Sequence, residues 1–478
     1  MDYVIVEVYE EGFYMQKVQF SIIDHKQQIP LKANQMAVYL QSKIVEAIDE
    51  NNEIYYLLFY KANFLTCFKA NSLRRRTFIE NAFKKGIVFE APHPLIDSLI
   101  SQNHSMKVRT FNQLLKKTQN NYTPQETALI ATYFDAFIQK EQIIKLIQTI
   151  FYNYRRNGKM LSAYKILRIA KEFAPKNNWV QPLANHIDFY KIALTYQKHP
   201  EKLIEKDRLY VERFCYSHKK NEQYEELLYS LLTQESRWID LVALYLDKLT
   251  SMPNSTTFNA LSRLLERHFT EQETTQVLSD LYQSIPHFPE LQQHLLEKLI
   301  KFHNNENAIN LMINQNLPID PSLYETVEEM VENLNFNSEL INIEKLNTFI
   351  LPLFQSQLEK KEEVIKRCVT TLLKKSDITA VTIWLSPLEN DQAAQPFIVK
   401  LKQMEELANN PDQQLQLGQL YYQFEQLDKA LECFSWEMEL NPDNPVPVQW
   451  LSKIYQEKGF KHESQAYQQL FIDMRKRA

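Results

Sequence analysis

Histidine is the side chain best suited to bind a metal or to move a proton near neutral pH, and this chain has eleven of them. None is paired in the H-x-x-x-H or H-E-x-x-H spacing that places two imidazoles on one helix face. The sequence also lacks the G-x-S-x-G nucleophile elbow and the cysteine-protease signatures of covalent catalysis. We therefore predict no metal site, no catalytic residue and no enzymatic activity.

Glycine is scarce, with five among 478 residues, or about 1% against a usual ~7%. Loops that hold phosphates or dinucleotides need several glycines close together, because the backbone there adopts positive φ and approaches the ligand closely. No two glycines of this chain lie within thirty residues of each other. This excludes Walker-type NTPases, Rossmann enzymes and protein kinases, and we predict no cofactor.

The strongest basic cluster consists of Arg74, Arg75 and Arg76. Ser72 is predicted to be the N-cap of a helix, which would place these cations in a first turn where they oppose the helix dipole. Two interpretations stay open. Either a bound phosphate or acidic partner compensates the charge, which makes the three arginines a candidate anion site, or Glu80 and solvent do so.

The aromatic content, with 25 Tyr and 27 Phe, raises the question of base stacking on a nucleic acid. Most of these residues fall at helical or alternating spacing, which is typical of a core, and aromatics alternate with clustered arginine only within residues 55–83. The net charge of −5 and the pI near 6.2 provide no general attraction to nucleic acid or anionic lipid. A nucleic-acid partner is therefore not expected.

The cysteines indicate a reducing compartment. All four are scattered without a C-x-x-C pair, which fits free thiols better than a disulfide framework or a zinc site. The first residues lack a basic n-region, and no apolar run is long enough for a membrane span. We predict a cytoplasmic protein with neither signal peptide nor membrane span.

Residues 1–95 are predicted to form a small α/β module. Runs of β-branched and aromatic residues favour strands, and these are predicted at residues 3–9, 13–23 and 87–89. A helix is predicted over residues 33–49, and the aromatic runs at 54–60 and 64–68 are either two strands or one helix. A further helix is expected to end at Gly86.

Helices are predicted to dominate from Pro94 onward. Thr123, Pro124 and Glu126 form a capping box with proline at the first helical position, which predicts a helix start there. The apolar stripe of that helix is predicted to be Ile130, Phe134, Phe137 and Ile138.

Residues 411–444 have the spacing of a pair of packed helices. The pattern is Gln414-x2-Leu417-Gly418-x2-Tyr421, then Ala430-x3-Phe434, then Pro442. Apolar residues recur every three or four positions, so each helix turns one apolar face to its partner. Gly418 and Ala430 are small where the helices would cross, and Pro442 would end the second helix. The pattern resembles the 34-residue tetratricopeptide repeat, with Gln414 replacing the usual first aromatic.

Residues 144–177 carry a second version of the pattern. It consists of Ile147, Ile150, Tyr154, Gly158, Ala163, Leu167, Ala170 and Pro175. Phe151 stands where the family has a small residue, and we expect it to push the two helices apart. A third, partial unit follows residues 411–444. It has Leu451, Tyr455, Gly459 and Ser464 at the family positions, and Gln468 where an aromatic is expected.

The resemblance implies a mostly α fold, namely a right-handed α-solenoid of tetratricopeptide-like helical hairpins behind the small N-terminal α/β module. Three domains are predicted: residues 1–95 are the N-terminal module, residues 96–400 are helical hairpins with degenerate repeats after the unit at 144–177, and residues 401–478 are a C-terminal repeat pair. Family members bind polypeptides in the groove lined by the first helix of each hairpin.

The groove-facing positions implied by the resemblance are polar or aromatic. They are Gln148, Tyr152, Arg155, Arg156, Leu415, Gln419, Tyr422, Gln423, Gln449, Lys453 and Gln456. Tyr and Arg are common at binding hot spots, and Gln can pair with a peptide backbone. The alternative is that these residues are only solvated positions on outward helix faces.

We therefore predict a non-enzymatic cytoplasmic scaffold or adaptor that binds a protein or peptide in the groove. The alternative prediction is a regulatory protein whose N-terminal module binds RNA or another phosphate-bearing ligand through Arg74, Arg75 and Arg76.

Overall fold

The computed structural model describes residues 19–25, 27–70, 72–184, 186–197, 200–338 and 340–477. The chain divides into two compact units, Met1–Leu291 and Gln292–Ala478. The strand predicted at residues 3–9, and the first part of the one predicted at 13–23, lie outside the described residues. The domain boundaries at residues 95 and 400 stay a prediction.

The first unit begins with an antiparallel sheet. Its strands are β1 (Gln19–Asp24), β2 (Gln27–Tyr39), β3 (Ser42–Ile48), β4 (Ile54–Tyr60), β5 (Asn63–Lys69) and β6 (Ile87–Glu90). Strands β1 to β5 pair in chain order. The first half of β2 pairs with β1, while its second half pairs with both β3 and β6. Because β3 occupies one edge of β2, β1 and β6 lie end to end along the other edge.

The helix predicted over residues 33–49 is wrong. These residues form the second half of β2 and all of β3, joined by a tight turn in which Leu40 has a positive φ of 54°. Met36, Ala37, Val38, Ile44 and Val45 are all buried, so the sequence loses the alternation of a half-exposed strand. The runs at 54–60 and 64–68 are two strands, and the short strand predicted near residue 88 is confirmed as β6.

The two ends of the meander are joined by one segment, so the sheet curls into a half-barrel. The Ile23 N–H of β1 donates to the Met106 carbonyl at 2.9 Å, and the Val108 N–H donates back to the Ile23 carbonyl at 2.9 Å. On β5, the Thr66 hydroxyl accepts the Arg109 N–H at 2.9 Å. The segment therefore bonds the backbone of Ile23 on β1 and the Thr66 side chain on β5.

Apart from the sheet, the described residues of the first unit form helices and the segments that connect them. The helices are α1 (Phe78–Lys85), α2 (Pro94–Ser101), α3 (Phe111–Asn121), α4 (Pro124–Thr132), α5 (Lys140–Arg156), α6 (Met160–Phe173), α7 (Val180–Ala184), α8 (Ile187–Tyr196), α9 (Arg208–Ser217), α10 (Glu222–Gln234), α11 (Trp238–Ser251), α12 (Ser255–His268) and α13 (Glu271–Ser284). One hydrophobic cluster joins Ile44 and Tyr60 of the sheet to Phe151 on α5 and Leu244 on α11. The sheet and these helices thus share a core.

The capping box at Thr123 is confirmed. The Thr123 hydroxyl accepts the Glu126 N–H at 3.2 Å, and the Glu126 carboxylate accepts the Thr123 N–H at 3.1 Å. The helix is shorter than predicted, because α4 ends at Thr132 and Phe134 lies in the turns that follow. There the Asp135 carboxylate accepts the Phe78 N–H of α1 at 2.8 Å.

The second unit consists of helices and connecting turns in its described residues. The remaining helices of the chain are α14 (Pro289–Lys301), α15 (Asn305–Gln315), α16 (Tyr324–Glu332), α17 (Leu346–Ile350), α18 (Leu358–Lys375), α19 (Ile378–Leu385), α20 (Gln395–Ala408), α21 (Gln414–Gln423), α22 (Leu427–Leu440), α23 (Pro445–Glu457) and α24 (Lys461–Arg477). Short 3-10 helices cover Pro200–Leu203, Pro321–Leu323, Ile343–Lys345, Ser386–Leu388 and Pro411–Gln413. Across the described ranges, no helix combines the length and the apolarity that crossing a bilayer requires.

The predicted helical pairs form. Helices α5 and α6 correspond to the window at residues 144–177, α21 and α22 to the window at 411–444, and α23 and α24 to the partial unit. Phe151 does not prevent α5 from packing against α6. Its buried ring turns toward the next helices instead, where its centroid lies 5.3 Å from Trp179 and 6.0 Å from Phe189.

Candidate functional site

The crossing of α21 and α22 depends on the smallest side chain. A Cβ atom added to Gly418 would lie 2.8 Å from Cε1 of Phe434, closer than carbon atoms pack. In the next pair the equivalent crossing is polar: the Ser452 hydroxyl donates to the Ser464 carbonyl at 2.9 Å, and the Ser464 hydroxyl donates to the Ser452 carbonyl at 2.9 Å. Both crossings bring the helices close and fix which faces of α21 and α23 stay outside.

The outer faces of α21 and α23 meet in a cluster of four side chains, Tyr422, Trp450, Lys453 and Glu457, which we call the aromatic-lysine cluster. The ring centroids of Tyr422 and Trp450 are 5.0 Å apart. The Lys453 Nζ lies 4.6 Å from the Tyr422 ring centroid and 5.0 Å from that of Trp450. The Tyr422 hydroxyl donates to the Glu457 carboxylate.

The cluster holds a cation against two aromatic faces. Such contacts contribute roughly 0.5–1 kcal/mol at exposed sites. A hydrogen bond with the Tyr422 oxygen raises the pKa of Lys453, since it favours the protonated ammonium. The Trp450 ring also stacks on Phe434 at 5.5 Å, which anchors the cluster to the core of the pair.

Four predicted groove residues on the same two helices carry amides without a hydrogen-bond partner among the described residues. They are Gln419, Gln423, Gln449 and Gln456, of which the last three are exposed and the first is half-buried. Within the described part of the second unit, none of these amides makes a side-chain hydrogen bond. Each amide therefore has donors and an acceptor to offer to another molecule.

The structure thus brings Tyr422 and Lys453, two of the predicted residues, into direct contact. Trp450 and Glu457, which complete the cluster, were not predicted from the sequence. Their spacing on α23 was a usable signal, because residues three before and four after Lys453 share its helix face.

The predicted groove residues of α5 are placed differently, since two of them contact the helices that follow. The Tyr152 hydroxyl accepts the Trp179 Nε1–H at 3.0 Å, and Arg155 forms an ion pair with Asp188 at 3.2 Å. The Arg156 Nε–H donates to the carbonyl of Tyr152 at 3.3 Å. Gln148 is half-buried on the same helix. These contacts leave α5 with less free recognition surface than α21 and α23 have.

The three arginines at residues 74–76 lie in a turn before α1. The predicted N-cap at Ser72 is wrong, because α1 begins at Phe78, whose N–H is bonded by the distant Asp135 carboxylate. Glu80 accepts the Arg76 backbone N–H and pairs with Lys84 at 2.7 Å, and these bonds lower the pKa of Glu80, the Lys84 bond most. The three guanidinium groups are exposed and form no ion pair with described residues.

A buried ionic cluster that was not predicted from the sequence joins the sheet to the helices. Lys43 on β3 and Arg237 before α11 both bond the carboxylate of Asp240, and Arg237 also bonds Glu212 on α9. Their side chains are between 1% and 6% exposed. Burial lowers the pKa of Lys43 to about 8, although Asp240 opposes this. Burial would raise the pKa of Asp240, but Arg237 and Lys43 hold it below its usual value.

The role of this ionic cluster is structural. Two cations and two carboxylates cancel in charge, and a substrate has no access to groups so deeply shielded. No set of three or more His, Cys, Asp or Glu side chains that could hold a metal ion occurs among the described residues.

No protein-family model and no curated protein matches the chain. One solved structure that matches it is that of Naa15/Naa10 bound to HypK-THB, with 15% sequence identity and a TM-score of 0.19. The match covers 76% of this chain and 60% of that chain, so this chain spans less than two thirds of its length. A TM-score of 0.19 does not establish a common fold, and nothing about binding is carried over from that complex.

Proposed function

We propose that this chain is a non-enzymatic scaffold or adaptor that binds a polypeptide segment on the face shared by α21 and α23. The observation that supports it is the aromatic-lysine cluster beside four unbonded glutamine amides. Aromatic rings provide large apolar contact at small entropic cost, and unbonded amides match the alternating N–H and C=O groups of a peptide backbone. The same first-helix faces line the groove in the tetratricopeptide repeats that these helices resemble.

A non-enzymatic role is consistent with the placement of the ionisable groups. The ionic cluster of Lys43, Arg237, Asp240 and Glu212 is closed to solvent. All four cysteines are free and buried, and burial raises the pKa of the Cys215 thiol to about 11, so it is a poor nucleophile at neutral pH. Buried free thiols also fit a cytoplasmic location, which we propose for the chain.

Affinity purification of the full chain from a lysate of its source cell tests the proposal. We compare the wild type with Gln419→Ala combined with Tyr422→Ala, and with Gln423→Ala combined with Gln456→Ala. The second pair removes only exposed amides, so it separates a loss of binding from a loss of folding. Trp436→Ala on α22 is the control, because this aromatic side chain is 54% exposed but belongs to the second helix of the pair.

We expect a partner protein to co-purify with the wild type and with Trp436→Ala. Its recovery should fall about fivefold or more with each of the two double variants. A recovery that neither double variant changes would contradict binding at this face.

A second candidate function is binding of RNA or another phosphate-bearing ligand at Arg74, Arg75 and Arg76, supported by the absence of ion-pair partners for their guanidinium groups among the described residues. Retention on heparin or RNA that falls with salt, and that is lost on combining Arg75→Ala with Arg76→Ala, would support it. Arg156→Ala combined with Lys159→Ala, two exposed cations of the same unit, is the control. Equal retention of both variants would contradict it.

A further inference from the structure

Among the described residues, strand β6 has one edge without a sheet partner. Its register with β2 places Phe89 opposite Met36 and Glu90 opposite Gln35. The Ala91 N–H donates to the Asn34 carbonyl at 2.8 Å, so Ala91 and Asn34 form a hydrogen-bonded pair. In an antiparallel ladder every second pair is hydrogen-bonded, so the next bonded pair is Phe89 with Met36. The backbone groups of Phe89 therefore face β2, and those of its two neighbours in the strand face away.

The two outward-facing residues are Val88 and Glu90. Each offers one N–H and one C=O on the edge opposite β2, and no described residue bonds to these groups. Val88 is 38% exposed and Glu90 is exposed as well. The segment that follows α2 bonds the edge of β1 at Ile23, whereas no described segment bonds this edge of β6. Such an edge is a template for another strand.

A groove runs beside β6. It has a volume of about 580 Å³ and lies between residues 86–93, α11 and α13. That volume is in the range of pockets that take a small ligand or a few residues of peptide. Leu246, Val277 and Leu281 provide its apolar wall.

The charged groups that line the groove all have the same sign. Glu90, Asp247 and Asp280 line it, and no lysine or arginine does. Asp247 is paired with Lys219 at 2.6 Å. Glu90 and Asp280 have no ion-pair partner among the described residues, and the Gln276 amide donates a hydrogen bond to the Asp280 carboxylate at 3.1 Å.

We propose that β6 accepts an extended basic polypeptide segment as an additional strand of the sheet. The backbone of the segment would bond to the outward groups of Val88 and Glu90. Lysine or arginine side chains on one face of the segment would meet the carboxylates of Glu90 and Asp280, and the apolar wall would take the residues between them. Main-chain bonds then provide affinity, and charge selects the sequence.

This site lies in the first unit and is independent of the face on α21 and α23. Its test uses fluorescence anisotropy with the full chain and a fluorescein-labelled, end-blocked hexapeptide of alternating lysine and valine. Two further peptides carry N-methyl groups on the three lysine amides or on the three valine amides. A strand bonded along one edge has alternate amides facing its partner, so only one of the two methylated peptides should be blocked.

We expect the parent peptide to bind, one methylated peptide to bind about tenfold more weakly or worse, and the other to bind as the parent does. Glu90→Gln combined with Asp280→Asn should also weaken binding about tenfold, whereas Glu226→Gln, an exposed carboxylate on α10, should not. Lys453→Glu should leave this binding unchanged, which separates it from the proposed function.

Equal binding of both methylated peptides would show a merely electrostatic attraction and would overturn the proposal. No binding of the parent peptide at millimolar concentration would also overturn it, since the edge would then be closed to a partner. Val88→Pro, which removes one outward N–H without touching the bonds to β2, provides a second check. It should weaken binding while circular dichroism stays unchanged, and unweakened binding counts against strand addition.

Discussion

The ammonium group of Lys43 on β3 is bonded to the carboxylate of Asp240 on α11, 197 positions later in the chain. Both side chains are closed to solvent, with exposures of 1% and 4%. The contact ties the sheet to the helices that cover it, and the same carboxylate also holds Arg237. Its removal would leave Lys43 without a buried counter-ion and Arg237 without one of its carboxylate partners, a more serious defect than the loss of one bond.

We therefore expect Asp240→Ala to lower the free energy of unfolding of the first unit by about 3–5 kcal/mol. Asp247→Ala on the same helix is the matched control. Its ion pair with Lys219 is 41% exposed at the aspartate, so solvent screening should keep its effect below about 1 kcal/mol. Urea unfolding followed by circular dichroism measures both. Equal effects of the two variants would show that the buried cations find other partners.

A second prediction concerns pH and His93, the N-cap of α2. Its Nδ1 accepts the Leu95 N–H at 3.1 Å, and burial lowers its pKa from 6.5 to about 4. Between these values the unfolded chain binds a proton that the folded chain does not. Stability from this group is therefore complete above pH 6.5 and falls as the pH drops toward 4, by at most about 3 kcal/mol.

His93→Asn isolates this effect, because asparagine is an equally good N-cap and does not titrate. We expect the wild type to lose more unfolding free energy than this variant when the pH falls from 6.5 to 4. Asp97 on the same helix has its pKa raised to about 7 by burial and by Glu273, which produces the opposite slope. Since Asp97 is present in both proteins, its contribution cancels. A difference that stays constant with pH would contradict the assignment.

Features carried by a few neighbouring residues could be predicted from the sequence. The capping box at Thr123 needs only the residue types at the N-cap and three positions later, and the crossing at Gly418 follows from the apolar spacing of two adjacent helices. Both are local, so one pattern contains all the partners. The mostly helical fold follows from the same periodicity repeated along the chain.

Features that depend on distant partners could not be predicted. Residues 33–49 resemble a helix in sequence because both faces of the sheet are buried there. The alternation of apolar and polar residues that marks a half-exposed strand is therefore absent. The N-cap of α1 is Thr77 rather than Ser72, and the first N–H of the helix is bonded by the Asp135 carboxylate. No spacing rule connects residues so far apart. The same holds for Lys43 and Asp240. At the candidate site, the resemblance indicated Tyr422 and Lys453, while Trp450 became visible only when two helices were packed together.

A third prediction tests the crossing of α21 and α22. Replacing a helical glycine by alanine normally stabilises a protein by about 0.5–1 kcal/mol, because the unfolded chain loses freedom. At Gly418 the new Cβ would meet the Phe434 ring at 2.8 Å, so we expect Gly418→Ala to destabilise the second unit by about 1–3 kcal/mol instead. Urea unfolding measures the change in unfolding free energy, and a stabilised Gly418→Ala variant would contradict the close crossing.

A second variant, Phe434→Leu, removes the aromatic ring that the new Cβ would meet. We expect Gly418→Ala to cost less in the Phe434→Leu background than in the wild type, a coupling that a double-mutant cycle measures. Additive effects would show that the two residues do not compete for the same space.

The last prediction concerns the charge on the candidate face. A hydrogen bond with the Tyr422 oxygen is the largest cause of the raised pKa of Lys453. Tyr422→Phe removes that oxygen and keeps the aromatic face, so the pKa of Lys453 should fall toward its ordinary value of 10.5. Glu457→Gln removes a more weakly attracting charge and keeps the hydroxyl, so it should lower this pKa less. A pH titration of the Lys453 side-chain carbons by NMR measures both. A larger effect of Glu457→Gln than of Tyr422→Phe would mean that the carboxylate, rather than the phenol, holds the lysine on this face.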